Sequence, residues 1–162
     1  MEELGLDRVV FIPANCSPHK PGSPPADAGA RLEMLRVSLD GEPGFELDDC
    51  ELRRGGPSYA IDTVRAMRAR HPGDELFYFI GEDNVEGLET WREFEALRRE
   101  VRFVVLARRV VPAGGEFPVV ARRIEISSTE IRNRVAAGRS VRYLLPTKAW
   151  EIICERRLYS DD

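Results

Sequence analysis

Histidine is almost missing from this sequence: His19 and His71 are the only two in 162 residues. A histidine-rich metal site or a complete Ser-His-Asp triad is therefore not expected. Cysteine is as sparse. Cys16, Cys50 and Cys154 are odd in number, far apart and form no CxxC pair, which argues against a disulfide framework and a cysteine-based zinc site and for a reduced, cytoplasmic protein. No apolar stretch approaches the length that spans a bilayer. Met1 to Arg8 is charged and carries no signal-peptide pattern. Basic excess is missing too: 24 Lys and Arg stand against 28 Asp and Glu, a net charge of -4. Nothing global draws the chain to nucleic acid or a membrane, so an anionic ligand must be held by local groups.

The residues that are present describe one domain. The length is enough to bury a core without staples, and an apolar fraction of 43% beside a charged fraction of 32% is that of a globular protein. Val9 to Ile12 and Leu76 to Ile80 are short continuous apolar runs, and Val101 to Ala107 is a third run broken only by Arg102, as expected of strands buried on both faces of a parallel sheet. Leu32, Leu35 and Leu39 recur at helical spacing. Phe45 and Leu47 alternate with polar residues, and Leu52 extends the alternation toward a second strand region, broken by Gly55-Gly56-Pro57. Ser58 is placed to cap a helix reaching His71, with Ile61, Val64 and Met67 inward. A short helix is expected over Trp91 to Arg99, a surface loop over Pro112 to Pro118 and a last short strand at Ile124 and Ile126. Helices follow from Ser127 or Ser128 and from Pro146. Strands alternating with helices give an α/β fold with a doubly wound parallel sheet.

In such sheets ligands lie beyond the carboxyl ends of the strands, which makes four segments candidates. Lys20, in Ser17-Pro18-His19-Lys20, offers a point charge for a phosphate or carboxylate, and His19 a hydrogen-bond donor; a polar loop with an incidental charge is the plain alternative. Gly81 ends a buried strand where a ligand can approach the backbone. Asp83, two residues on, can accept from ribose hydroxyls, although a simple turn explains both. Ser127, Ser128 and Thr129 stand at a helix start with Glu130 at capping-box spacing. Backbone N–H groups and the helix dipole there favour phosphate, with Arg132 supplying formal charge. Ser58-Tyr59-Ala60 and Trp91-Arg92 bring aromatics that can stack on a flat ring, or can equally be boundary aromatics.

Taken in order, SPHK (17–20), ELRRGGPSYAIDT (51–63), FYFIGEDN (77–84), Trp91, VVLARR (104–109), ISSTEIR (126–132), YLLP (143–146) and the closing LY (158–159) resemble the bacterial nicotinate-nucleotide adenylyltransferases of the nucleotidyltransferase superfamily. The resemblance implies a Rossmann-like fold and adenylyl transfer from ATP to nicotinate mononucleotide, with Mg²⁺ accompanying ATP and no resident protein metal site. It implies that Gly81 and Asp83 contact the adenosine ribose, and that Ser127, Ser128, Thr129 and Arg132 hold the ATP phosphates, Arg132 acting in catalysis. Ser58, Tyr59, Ala60, Trp91 and Arg92 would form the pyridine pocket, with His19 and Lys20 near the substrate. Ala60 replaces a threonine usual in the family, and Arg92 stands where an aromatic or histidine is common.

The family opens with a strand, a GGTFDPxHxGH turn and a helix. Met1 to Leu6 resembles the end of that helix, so the expectation is a single domain lacking its N-terminal strand and helix, roughly 30 residues or about one βαβ-sized portion. Neither His19 nor His71 has the HxGH spacing. These 162 residues are therefore expected to bind nucleotides but to transfer adenylyl groups negligibly. A phosphopantetheine adenylyltransferase and a non-catalytic nucleotide-binding module are the alternatives. A homo-oligomer is allowed, the sequence leaving the oligomeric state open.

Overall fold

The computed structural model describes residues 1–18, 26–107, 116–121 and 126–160. After a 3₁₀ turn at Glu2–Leu4, the elements run β1 (Val9–Phe11), α1 (Ala28–Leu39), β2 (Phe45–Leu47), α2 (Cys50–Arg54), α3 (Ala60–Arg70) and β3 (Phe77–Gly81). Two further 3₁₀ turns, Glu82–Asn84 and Leu88–Thr90, lead to α4 (Phe94–Glu100), β4 (Arg102–Ala107), β5 (Val119–Ala121), α5 (Ser128–Ala136) and α6 (Thr147–Glu155). Among the described residues the strand pairing is parallel, in two sheets ordered β1-β2 and β3-β4-β5, with helices in most connections. The α/β class expected from the sequence holds.

The chain divides into two compact units, one formed by the described residues of Met1–Asn15, His19–Gly55 and Ile126–Asp162, the other by those of Cys16–Pro18 and Gly56–Glu125. In the second unit, β4 is buried along most of its length, because a strand paired on both edges and packed on both faces has no polar side to show. Its Phe103 and Val105 join Ile61 and Val64 of α3, Ile80 of β3 and Phe94 and Leu97 of α4 in one core. Ile61 and Val64 are three apart and fall on one helical face. Leu97 is fully buried, and α4 ends at Val101, which turns directly into β4.

In the first unit, β1 and β2 pair in register from Val9 with Phe45 to Phe11 with Leu47, and Phe11 packs edge-on against Phe45. Helix α1 begins at Ala28, capped by Asp27, whose carboxylate accepts from Ala30 N at 3.0 Å. Its fully buried residue is Ala30, while Leu32, Leu35 and Leu39 are only half-buried. Arg31 collects the carbonyls of Ala14 at 2.6 Å and Ala26 at 3.0 Å, which ties the stretch after β1 to the start of α1. Helix α6 turns Ala149, Ile152 and Ile153 inward, and its Lys148 and Arg156 reach Asp40 and Glu33.

Several local expectations change. Leu52 lies in α2, not in a strand. Asp48 accepts from Cys50 N at 2.9 Å and starts a short helix there, which Gly55 ends at φ 69, a backbone region that favours glycine. Ser58 does not cap α3; Tyr59 occupies that position without a side-chain cap, while Ser58 N donates to Cys16 O at 2.8 Å. Trp91 precedes α4 instead of opening it. Ile126 lies outside the strands, and the last strand among the described residues is Val119–Ala121; Ile124 lies outside the described residues. His71 ends α3, its N–H donating to Met67 O at 2.9 Å. No helix among the described residues is long and apolar enough to cross a membrane.

Candidate active site

Gly81 is the last residue of β3 and the N-cap of the turn carrying Asp83. A Cβ on Gly81 would collide with Asp83 Oδ1, so the glycine is what lets the carboxylate fold back over the strand end. Asn84 Nδ2 donates to the same oxygen at 3.2 Å, and Asp83 remains exposed. An exposed carboxylate oriented at a strand's carboxyl end suits a pair of vicinal hydroxyls.

The Tyr59–Ala60 and Trp91–Arg92 segments meet in the same unit. Tyr59, Ala60 and Trp91 all pack against its core, and Trp91 stands edge-on to Tyr78 with centroids 6.0 Å apart. The Arg92 guanidinium lies over the Tyr59 ring, 4.7 Å from the centroid, within cation–π range. Asp62 faces Arg92 at 3.7 Å and Glu93 faces it at 3.9 Å. A half-exposed cation thus lies on one of the two aromatics that border this core, a combination suited to a flat ring bearing negative charge. Ser58 sits one residue before this group, beside the Cys16–Pro57 bridge.

Sequence reasoning missed two residues beside it. Glu93 adopts φ 53, a left-handed conformation that costs a non-glycine residue roughly 1–2 kcal/mol. Arg65 holds it with a two-pronged pair, Nη1 to Oε1 at 3.2 Å and Nη2 to Oε2 at 2.6 Å. The hydrogen bond from Arg65 lowers the Glu93 carboxyl below its ordinary range, and the same bond raises the Arg65 guanidinium. A lowered carboxyl keeps its charge through neutral pH, so the pair is lost only as pH falls through that lowered value. The residues lie 28 positions apart, and no local pattern could have joined them.

In the other unit, Ser127 caps α5, its Oγ accepting from Glu130 N at 3.1 Å. The cap leaves the hydroxyl proton available to a ligand. Ser128 and Thr129 are exposed in the first turn, where the N–H groups of a helix have no intrahelical partner. Arg132 reaches back along the helix, Nη2 donating to Thr129 Oγ1 at 3.3 Å, which carries its charge toward that amino end. Hydroxyls, amides and a guanidinium at one helix start make an anion site. His19 and Lys20 lie outside the described residues. Among the described residues no three His, Cys, Asp or Glu side chains are grouped to hold a metal ion.

A parallel α/β fold with a Gly-Asp turn after one strand and a phosphate-type helix start is the build of a nucleotidyltransferase, and comparison with known proteins places it there. The cytidylyltransferase-like family model matches residues 1–134. The probable nicotinate-nucleotide adenylyltransferase of Citrifermentans bemidjiense is 40% identical, over 96% of this chain and 86% of that protein. The protein of the same description from Exiguobacterium sibiricum is 38% identical, over 98% and 86%. Among solved structures, Plasmodium falciparum nicotinic acid mononucleotide adenylyltransferase complexed with NaAD shares the fold at a TM-score of 0.76 and 15% identity, over 95% of this chain and 83% of that one. The chain belongs to the cytidylyltransferase-like family. Within it, the chain is a member of the nicotinate-nucleotide adenylyltransferases.

Proposed function

We propose that this chain carries the binding machinery for adenylyl transfer from ATP to nicotinate mononucleotide, giving deamido-NAD and pyrophosphate. The observation that carries the reading is the Arg92 cation lying on the Tyr59 ring, with Trp91 packed against the same core. It suits a pyridine ring bearing a carboxylate. Ser58 and Ala60 complete its border, and His19 and Lys20 are assigned to substrate binding by the order of the sequence motifs alone. Gly81 and Asp83 take the adenosine ribose, and Ser127, Ser128, Thr129 and Arg132 take the ATP phosphates.

The mononucleotide phosphate oxygen forms the new bond to the α-phosphorus of ATP, and the bond to pyrophosphate breaks, the leaving group taking the electron pair. No covalent enzyme intermediate is required. The protein's share is to orient the two nucleotides and to neutralise charge. Arg132, turned toward the start of α5, stabilises the charge that grows on the phosphates. A Mg²⁺ entering with ATP would keep several waters and bind largely through phosphate oxygens. When bound it offsets the charge of the departing pyrophosphate.

The whole chain is read as one nucleotidyltransferase domain working in the cytoplasm. Its net charge of -4 and three free cysteines support small nucleotides as partners and a reducing compartment. Homo-oligomers remain compatible with this reading. Calorimetric titration separates the nicotinate reading from a phosphopantetheine one. Nicotinate mononucleotide is expected to bind at least about tenfold more tightly than phosphopantetheine, the discrimination a matched ring and charge supply. Equal affinities, or the reverse order, would remove the pyridine assignment.

A further inference from the structure

The turn carrying Trp91 and Arg92 is held from one side by a single helix. Tyr59, Asp62 and Arg65 are spaced by three along the start of α3, so they share one face. Each meets a residue of the turn: Tyr59 lies beneath Arg92, Asp62 faces Arg92, and Arg65 forks onto Glu93. The charges are in matching order, acid to base and then base to acid. Exposed ion pairs taken singly contribute little, but a bidentate arginine within a network is the case in which geometry is fixed. The strained residue is the one that Arg65 grips. A non-glycine residue stays in the left-handed region when its surroundings over-determine it.

We propose that Arg65 and Glu93 are positioning residues, which lock the turn in this conformation and so fix where Trp91 and Arg92 stand in the ring pocket. The role of the pocket rests on the function proposed above; the lock itself does not. Neither residue touches the substrate. Their effect reaches it through the direction in which the turn leaves its 3₁₀ segment, and small displacements of a positioning element weaken recognition steeply.

The side chains of Arg65 and Glu93 are 50% and 41% exposed, so either can be replaced without opening the core. Tryptophan occurs only at Trp91 and Trp150. In a Trp150→Phe background, acrylamide quenching of the remaining fluorescence therefore reports Trp91 alone. Glu93→Ala and Arg65→Ala are expected to raise that quenching. Glu93→Gly, which accepts the positive φ, should raise it less than Glu93→Ala, and Arg65→Lys should fall between wild type and Arg65→Ala. On the 162-residue chain, the two alanine variants are expected to weaken nicotinate mononucleotide binding about tenfold. ATP affinity should stay within about twofold, and the double variant should be no worse than either single one.

Unchanged quenching in both alanine variants would overturn the lock. Equal losses for both nucleotides would overturn the positioning role, since a general loss of structure moves both. A wild-type chain that ignores nicotinate mononucleotide would instead overturn the proposed function, and quenching still judges the lock.

Discussion

Replacing Arg132 with alanine should weaken ATP binding by roughly 10- to 100-fold, because hydrogen bonds to charged groups contribute about 1.5–3 kcal/mol each. The side chain is half-buried and directed toward the start of α5 by Thr129, so its charge is screened less than that of a freely moving arginine. Arg132→Lys should recover part of the loss, keeping the charge but not the fork. Nicotinate mononucleotide affinity should change by less than about twofold, since the ring group belongs to different elements. Direct titration with each nucleotide decides the matter. An ATP affinity unmoved by Arg132→Ala would show that the helix start is only a capped terminus.

Much of this could be seen in the sequence, and the reasons are physical. Apolar runs such as Leu76 to Ile80 and Phe103 to Ala107 announce strands because a strand covered on both faces has few polar positions to blur it. Ser127 and Glu130 announce a helix start because the cap is a local hydrogen bond. The misread places are short or non-local. Helix α2 has five residues, too few for its period to separate from the alternation that ends at Leu52. Strand β5 has three, and its place is set by pairing with β4. At the candidate site, Trp91, Tyr59 and Arg132 are proposed from residue type and motif order. Glu93 and Arg65 are not, since neither a left-handed glutamate nor an ion pair between α3 and a distant turn leaves a local signature.

Deamido-NAD joins the adenosine and the nicotinate moieties in one molecule, so its calorimetric titration into the 162-residue chain addresses the assignment most directly. The account predicts saturable one-to-one binding, weakened about tenfold or more by replacing either Trp91 or Asp83 with alanine. No saturable binding to a folded chain, or binding indifferent to both substitutions, would contradict it.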